Sequence, residues 1–145
     1  MKFHELTAGS VIETDARTIT EAEIVEFAKR YDPQPFHTDP DYAATSRWGG
    51  LIASGWMTCS VAMELVVRRV LADSESIGSP GVEALEWLRP VRPGDALRVL
   101  ISVLESRKSK SGTTGVVRWR WDVRNQADES VARLTAVSLF DIHSK

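Results

Sequence analysis

The stretch from Ser54 to Ala72 constrains the fold most, because its apolar residues occupy nearly the whole circumference of the helix that it predicts. A helix at a protein surface is apolar along one stripe only, so this pattern indicates a helix that other structure surrounds. Glu64, Arg68 and Arg69 make the stretch too polar for a membrane span. We therefore expect a long, deeply buried helix at the centre of the molecule.

Long strand-like segments follow this helix, at residues 82–91, 96–105, 115–124 and 130–142. The third is the clearest, because apolar and polar residues alternate along it. Its predicted core face is Val117, Trp119, Trp121 and Val123, and its predicted solvent face is Arg118, Arg120, Asp122 and Arg124. Turn residues at 93–95, 108–112 and 125–129 separate the segments and predict antiparallel hairpins. A curved sheet around the helix satisfies this pattern, and its uncovered face or edge favours dimerisation.

The chain has 145 residues and suits a single domain, 1–145, of the α+β class. Its 18 basic and 20 acidic residues give a net charge of -2, which does not favour nucleic-acid binding. We expect no membrane segment and no secretory signal, and hence a cytoplasmic protein. The single cysteine, Cys59, excludes an internal disulfide and is expected to pack in the interior. The three histidines show no metal-ligand spacing, so we expect no metal site.

Two predicted helices flank the segment whose side chains are best suited to acid–base chemistry. Thr20 and Glu23 form a capping box that predicts a helix over residues 21–31, with its apolar residues on one face. A second short helix is expected to begin at Asp39 and Pro40, with Asp39 as the N-cap. The connection between them is therefore a constrained loop.

This loop, Asp32-Pro33-Gln34-Pro35-Phe36-His37, carries a carboxylate and an imidazole on a backbone that two prolines stiffen. Asp32 and His37 together can exchange protons with one water molecule near neutral pH. The alternative is a structural role, in which Asp32 is solvated after a helix end and His37 forms local hydrogen bonds. The residue types alone leave both interpretations open.

Several segments in order resemble the MaoC-like dehydratases and R-specific enoyl-CoA hydratases. The loop at 32–37 is similar to the family signature Asp-x-Asn-Pro-x-His, with Gln34 in place of Asn, and residues 38–43 continue the likeness. The segments 48–58 and 88–95 resemble the approach to the central helix and a connection between later strands. The resemblance covers roughly residues 8–142. It implies a single hotdog domain, in which a curved antiparallel sheet wraps around a long central helix.

The resemblance also implies a function: addition or removal of water across the 2,3-bond of an acyl-CoA-like thioester, in fatty acid metabolism. It assigns Asp32 and His37 as the catalytic dyad and Gly55 as the donor to the thioester carbonyl. The substrate-binding residues that it implies are Gln34, Trp48, Gly50, Ser54 and Trp56. No cofactor is expected, since coenzyme A is part of the substrate, and a homodimer or higher homo-oligomer is expected.

Other functions remain open at this point. The hotdog fold also serves acyl-CoA thioesterases, and a fold alone does not assign chemistry. A non-catalytic subunit that binds acyl thioesters is a further alternative, because Tyr31, Gln34 and Ser54 depart from the family pattern of a small residue, Asn and His. Which dyad member acts as acid and which as base is also open. Arg47, Arg89 and Arg92 can contact coenzyme A phosphates or simply be solvated.

Overall fold

A computed structural model describes residues 1–143, which form a curved, open antiparallel sheet around a central helix. This arrangement is the hotdog fold that the sequence predicted. The helices are α1 (Glu21–Tyr31), α2 (Pro35–Thr38), α3 (Pro40–Thr45) and the central α4 (Gly55–Val66), which continues as a π-helical segment, Val67–Leu71. The strands are β1 (Val11–Glu13), β2 (Arg17–Thr18), β3 (Ser76–Trp87), β4 (Ala96–Lys108), β5 (Thr114–Arg124) and β6 (Ser130–Asp141).

The strand order in the sheet is β1-β4-β5-β6-β3, and β2 pairs with the start of β4. The predicted hairpins β4/β5 and β5/β6 are confirmed. The predicted pairing of β3 with β4 is wrong, because β3 pairs with β6 at the opposite edge. The turn at 93–95 is bound to β2 instead: Gly94 donates to the Ile19 carbonyl at 2.7 Å, and Ile19 donates to that of Asp95 at 2.8 Å.

β3 also begins and ends earlier than predicted, at Ser76–Trp87 instead of 82–91. The strand therefore includes Gly78, Pro80 and Gly81, which precede the predicted segment. Register shifts occur between Ser76 and Gly78 and again before Gly81. Such irregularities are tolerated because β3 is an edge strand and has a neighbour on one side only.

α4 contributes one face to the core, where Met57, Val61, Ala62, Leu65 and Val66 are buried. Burial around its whole circumference is not observed in the single chain, because Trp56 is 58% and Met63 is 43% exposed. Ile77 and Val82 on β3 are also exposed. The described chain therefore presents an apolar surface formed by one side of α4 and the edge strand, which we call the α4–β3 surface.

The alternation along β5 is confirmed for its core face, where Val117, Trp119, Trp121 and Val123 are all buried. On the opposite face Arg118, Arg120 and Arg124 reach solvent, as predicted. The prediction is wrong for Asp122, which is 7% exposed. Hydrogen bonds explain its burial, since Arg124 Nε donates to its carboxylate at 3.0 Å and Ser130 Oγ donates at 2.7 Å.

Replacement of Trp119 by alanine tests the core assignment. Trp119 is fully buried, so Trp119→Ala should lower the free energy of unfolding by about 3–5 kcal/mol, through lost burial and the cavity left behind. Arg120→Ala, one position along the same strand and exposed, should change it by less than about 0.5 kcal/mol. Urea unfolding measures both. Equal effects of the two changes would contradict the assigned faces of β5.

Candidate active site

Asp32 lies immediately beyond the last turn of α1. Its N–H still donates to the Ala28 carbonyl at 2.8 Å, but its φ of -152° leaves the helical region. Pro33 follows and disfavours helical geometry at Asp32, as the sequence predicted. The carboxylate is therefore at a fixed change of chain direction, and its side chain is only 18% exposed.

His37 lies in α2, a single helical turn that the sequence patterns did not predict. The turn begins with Pro35 at its first position, where a proline fits because no N–H is needed. The interpretation of 32–37 as a loop is thus wrong for its second half. The His37 ring is buried, and its Nδ1 lies 2.6 Å from the carbonyl oxygen of Ile52.

The orientation of this ring fixes where its protons lie. The Ile52 carbonyl can only accept a hydrogen bond, so His37 Nδ1 carries a hydrogen and donates it. His37 Nε2 then faces Asp32 Oδ2 at 3.2 Å. A bare nitrogen lone pair opposite a carboxylate would be repulsive, so this contact requires a proton between the two atoms. Nε2 and the carboxylate therefore form a site that holds and exchanges one proton.

The surroundings of Asp32 favour its ionised form. Burial alone raises the pKa of this carboxyl, but a hydrogen bond from Gln34, the nearby Ser54 hydroxyl and the charge of His37 outweigh burial and lower its pKa below the ordinary value. Gln34 Nε2 donates to Asp32 Oδ1 at 2.8 Å. Ser54 Oγ is buried and lacks a partner with full hydrogen-bond geometry within residues 1–143, so its influence on Asp32 is one of proximity.

Gly55 is the first residue of α4, as the sequence predicted for the start of the central helix. The first bonds of the helix run from Met57 and Thr58 N–H to the Ser54 carbonyl, at 2.9 and 3.1 Å. The N–H of Gly55 precedes them and makes no hydrogen bond to another described residue. The positive end of the α4 dipole and a free donor thus coincide at this residue.

Trp87, at the end of β3, leaves no space for a side chain at Gly55. A Cβ atom at Gly55 would collide with the indole ring of Trp87, which packs flat against the helix start. The sequence patterns placed Trp87 in a strand and did not single it out. A large aromatic residue directly before the segment 88–95 was the available signal.

One cavity of about 430 Å³ brings most of these groups together. Asp32, His37, Gly55, Gln34, Trp48 and Trp56, all predicted from the sequence, line this cavity. Trp87 and Thr58 complete it on the α4 side, and residues 88–91 line its rim. Ser54 lies behind Asp32 and does not line the cavity. Asp32, His37 and Gly55, the residue with the unpaired helix N–H, therefore line one cavity.

Gly50 is not a wall of this cavity. Its carbonyl accepts a hydrogen bond from Arg92 Nη1 at 3.1 Å, and the Trp48 carbonyl accepts one from Arg92 Nη2. Arg92 therefore holds the connection before α4 and is not free for a ligand. Arg89 is at the rim, more than half exposed, with its Nη1 3.0 Å from a carboxylate oxygen of Glu129.

No group of three or more His, Cys, Asp or Glu side chains with metal-binding geometry occurs within 1–143. In that part of the chain, no helix has the length and apolar character needed to cross a membrane.

Comparisons with known proteins identify relatives of this chain in sequence and in fold. The MaoC-like domain model matches residues 3–124. The MaoC-like dehydratase from Rhodospirillum rubrum is 38% identical, with a TM-score of 0.89 over 98% of this chain and 97% of its own. The R-hydratase PhaJ1 from Pseudomonas aeruginosa is 30% identical, with a TM-score of 0.78 over 97% of this chain and 86% of its own.

A curated relative, the uncharacterized protein YdeM from Bacillus subtilis, is 28% identical over 131 residues, which are 90% of this chain and 92% of that protein. The family model covers most of the chain, and the solved structures share its fold from end to end. These similarities support a function of the hydratase or dehydratase type at the level of the family. The chain belongs to the MaoC-like dehydratase family.

Proposed function

We propose that the chain is a hydro-lyase that adds water to, or removes it from, the 2,3-bond of an acyl-CoA-like thioester, as an (R)-specific enoyl-CoA hydratase does. One observation carries the proposal: the Asp32–His37 pair and the free N–H of Gly55 face the same cavity. Hydration of an unsaturated thioester needs both. A proton-exchanging pair activates water, and a donor stabilises the negative charge that develops on the carbonyl oxygen.

The geometry leads to a division of roles within the dyad. In the proposed starting arrangement Asp32 is a carboxylate, His37 Nδ1–H donates to the Ile52 carbonyl, and a proton on Nε2 faces Asp32. Asp32 accepts a proton from water as the water oxygen bonds to C3. The π electrons move toward the thioester oxygen, where the Gly55 N–H stabilises the resulting enolate.

Completion of the reaction requires a proton at C2, and His37 Nε2 supplies it as the enolate collapses. The proton on Asp32 then transfers to Nε2 across the 3.2 Å contact, which restores the starting arrangement. The net change is the addition of one water molecule, with hydroxyl at C3 and hydrogen at C2. Dehydration is the reverse sequence. Every step uses the substrate and groups of this chain, so no separate cofactor enters the scheme.

The coenzyme A part of the substrate is assigned to the rim of the cavity. Arg89 is exposed there and has the fixed donor geometry that suits phosphate. Arg47 is close by, with its guanidinium carbon 5.6 Å from the centre of the Trp48 ring. Arg92 is excluded from this role because two backbone carbonyls already occupy its guanidinium.

The proposed assembly is a homodimer formed through the α4–β3 surface. Ile77 is 60% exposed and Val82 55% exposed on an edge strand whose outer side has no neighbouring strand in the described fold. An edge of this kind pairs readily with a second copy, which also covers the apolar side of α4.

Substitution of the dyad is the primary test of the function. Asp32→Asn and His37→Ala should each lower kcat/KM for hydration of trans-2-butenoyl-CoA by about 10²- to 10⁴-fold, because each removes a proton-transfer group. Asp41→Asn, at an exposed carboxylate on α3, is the matched control and should retain activity. Loss of less than about tenfold in both folded dyad variants would contradict the assignment. Release of free thiol without hydration would instead indicate thioester hydrolysis.

The pH profile tests the role of Gln34. Since Asp32 must be ionised and its pKa is lowered, wild-type activity should persist as the pH falls below the ordinary carboxyl range, and decline only through the lowered pKa. Gln34→Ala removes the amide that stabilises the carboxylate. The acid limb of kcat/KM should therefore move to higher pH, while Gln34→Asn, which keeps an amide, should move it less. An unchanged acid limb in Gln34→Ala would contradict this role.

A charge on β3 tests the assembly. Ile77→Lys should convert the dimer to a monomer in size-exclusion chromatography with light scattering, because it places a charge in the apolar contact at the paired edges. Leu104→Lys is the matched control, since Leu104 is also an exposed apolar residue but lies on β4. A monomeric wild type, or a dimer that tolerates Ile77→Lys, would contradict the proposed interface.

A further inference from the structure

A second cavity, of about 290 Å³, lies farther along α4 from the proposed active site. Its lining is mainly apolar and comes from α4, β3 and the concave face of the sheet, and includes Cys59, Met63, Val82, Trp121, Leu134 and Ala136. Neither the dyad nor the Gly55 N–H faces it. A space of this composition accommodates hydrocarbon and offers no group for acid–base chemistry.

The two cavities follow one face of the same helix. Gly55, Cys59 and Met63 are spaced four residues apart, so they lie one above another along α4. Gly55 lines the first cavity, whereas Cys59 and Met63 line the second. A straight hydrocarbon chain that starts at the Gly55 N–H would run along this face from one cavity into the other.

The Trp87 indole lines the first cavity and lies beside a residue of the second. It packs against Gly55 on one side and meets Trp56 edge-to-face, with ring centres 5.1 Å apart. It also lies beside Cys59, whose thiol pKa is raised by burial and partly lowered by the nearby indole. Trp87 therefore lies next to Gly55 of the first cavity and Cys59 of the second, at the step along α4 where one cavity gives way to the other.

We propose that Trp87 determines substrate specificity by closing the second cavity, so that this chain acts on short acyl thioesters of about four to six carbons. The inference rests on the proposed function and deepens it, because it concerns how far the acyl group extends beyond the Gly55 N–H. Trp87 is 47% exposed and is not a core residue. Its removal is therefore expected to open a passage between the cavities without removing a buried part of the fold.

The experiment compares wild type, Trp87→Ala and the double variant Trp87→Ala/Ala136→Leu. Ala136 lines the second cavity. Leucine at this position fills that cavity, to which Trp87→Ala is expected to open access. Hydration is measured with trans-2-butenoyl-CoA and trans-2-octenoyl-CoA. Binding of the unreactive saturated butanoyl-CoA and octanoyl-CoA is measured by calorimetry, which does not depend on turnover.

Trp87→Ala should raise the ratio of octanoyl to butanoyl affinity, and the matching ratio of kcat/KM, at least about tenfold. Each methylene that becomes buried contributes about fourfold, and a longer acyl group buries several. The double variant should reverse most of this gain. Wild type should favour the four-carbon substrate.

The outcomes separate the two proposals. A shift in the binding ratio without hydration by any variant supports the role of Trp87 and overturns the proposed hydro-lyase. Hydration with ratios that Trp87→Ala leaves unchanged keeps the hydro-lyase and overturns the role of Trp87. A preference of wild type for the eight-carbon thioester, or failure of every variant to bind either saturated thioester, also overturns the inference.

Discussion

His37 Nδ1 donates to the Ile52 carbonyl oxygen at 2.6 Å, and this bond joins the turn that carries the imidazole to the segment leading into α4. It fixes the ring, determines which nitrogen carries a permanent hydrogen, and leaves Nε2 to face Asp32. Together with the Ile52 N–H, which donates to the Phe36 carbonyl at 3.3 Å, it ties the segment that carries the dyad to the start of α4. The proposed division of acid and base roles follows from this one contact, since only Nε2 remains for exchange.

α4 contributes both to the packing of the core and to the proposed active site. Its inner face, including Val61 and Leu65, packs in the core, which fixes the height and direction of its first turn. That turn presents the Gly55 N–H to the cavity, and the Trp87 indole packs on it because no Cβ intervenes. The remaining face of the helix, with Met63, is exposed in the single chain. Because α4 is anchored in the core, the N–H of its first residue is held in place before any substrate binds.

The sequence predicted those features that depend on local pattern. The capping box at Thr20 and the alternation around Trp119 correctly predicted α1 and β5. The position of β3 was mispredicted because it depends on pairing with β6, a strand that is distant in sequence. Asp122 was assigned to solvent because its partners, Arg124 and Ser130, are identified only by the fold. The dyad was predicted from its spacing and family resemblance, whereas the turn around His37 and the contact of Trp87 with Gly55 required the structure.

A crystal structure with a bound 3-hydroxybutanoyl thioester tests the central claim most directly. The account predicts that the thioester carbonyl oxygen accepts a hydrogen bond from the Gly55 N–H at about 3 Å, and that the C3 hydroxyl lies between Asp32 and His37 Nε2 at similar distances. Binding of the thioester with its C3 hydroxyl away from both dyad side chains would contradict the account. So would a carbonyl oxygen directed away from the start of α4.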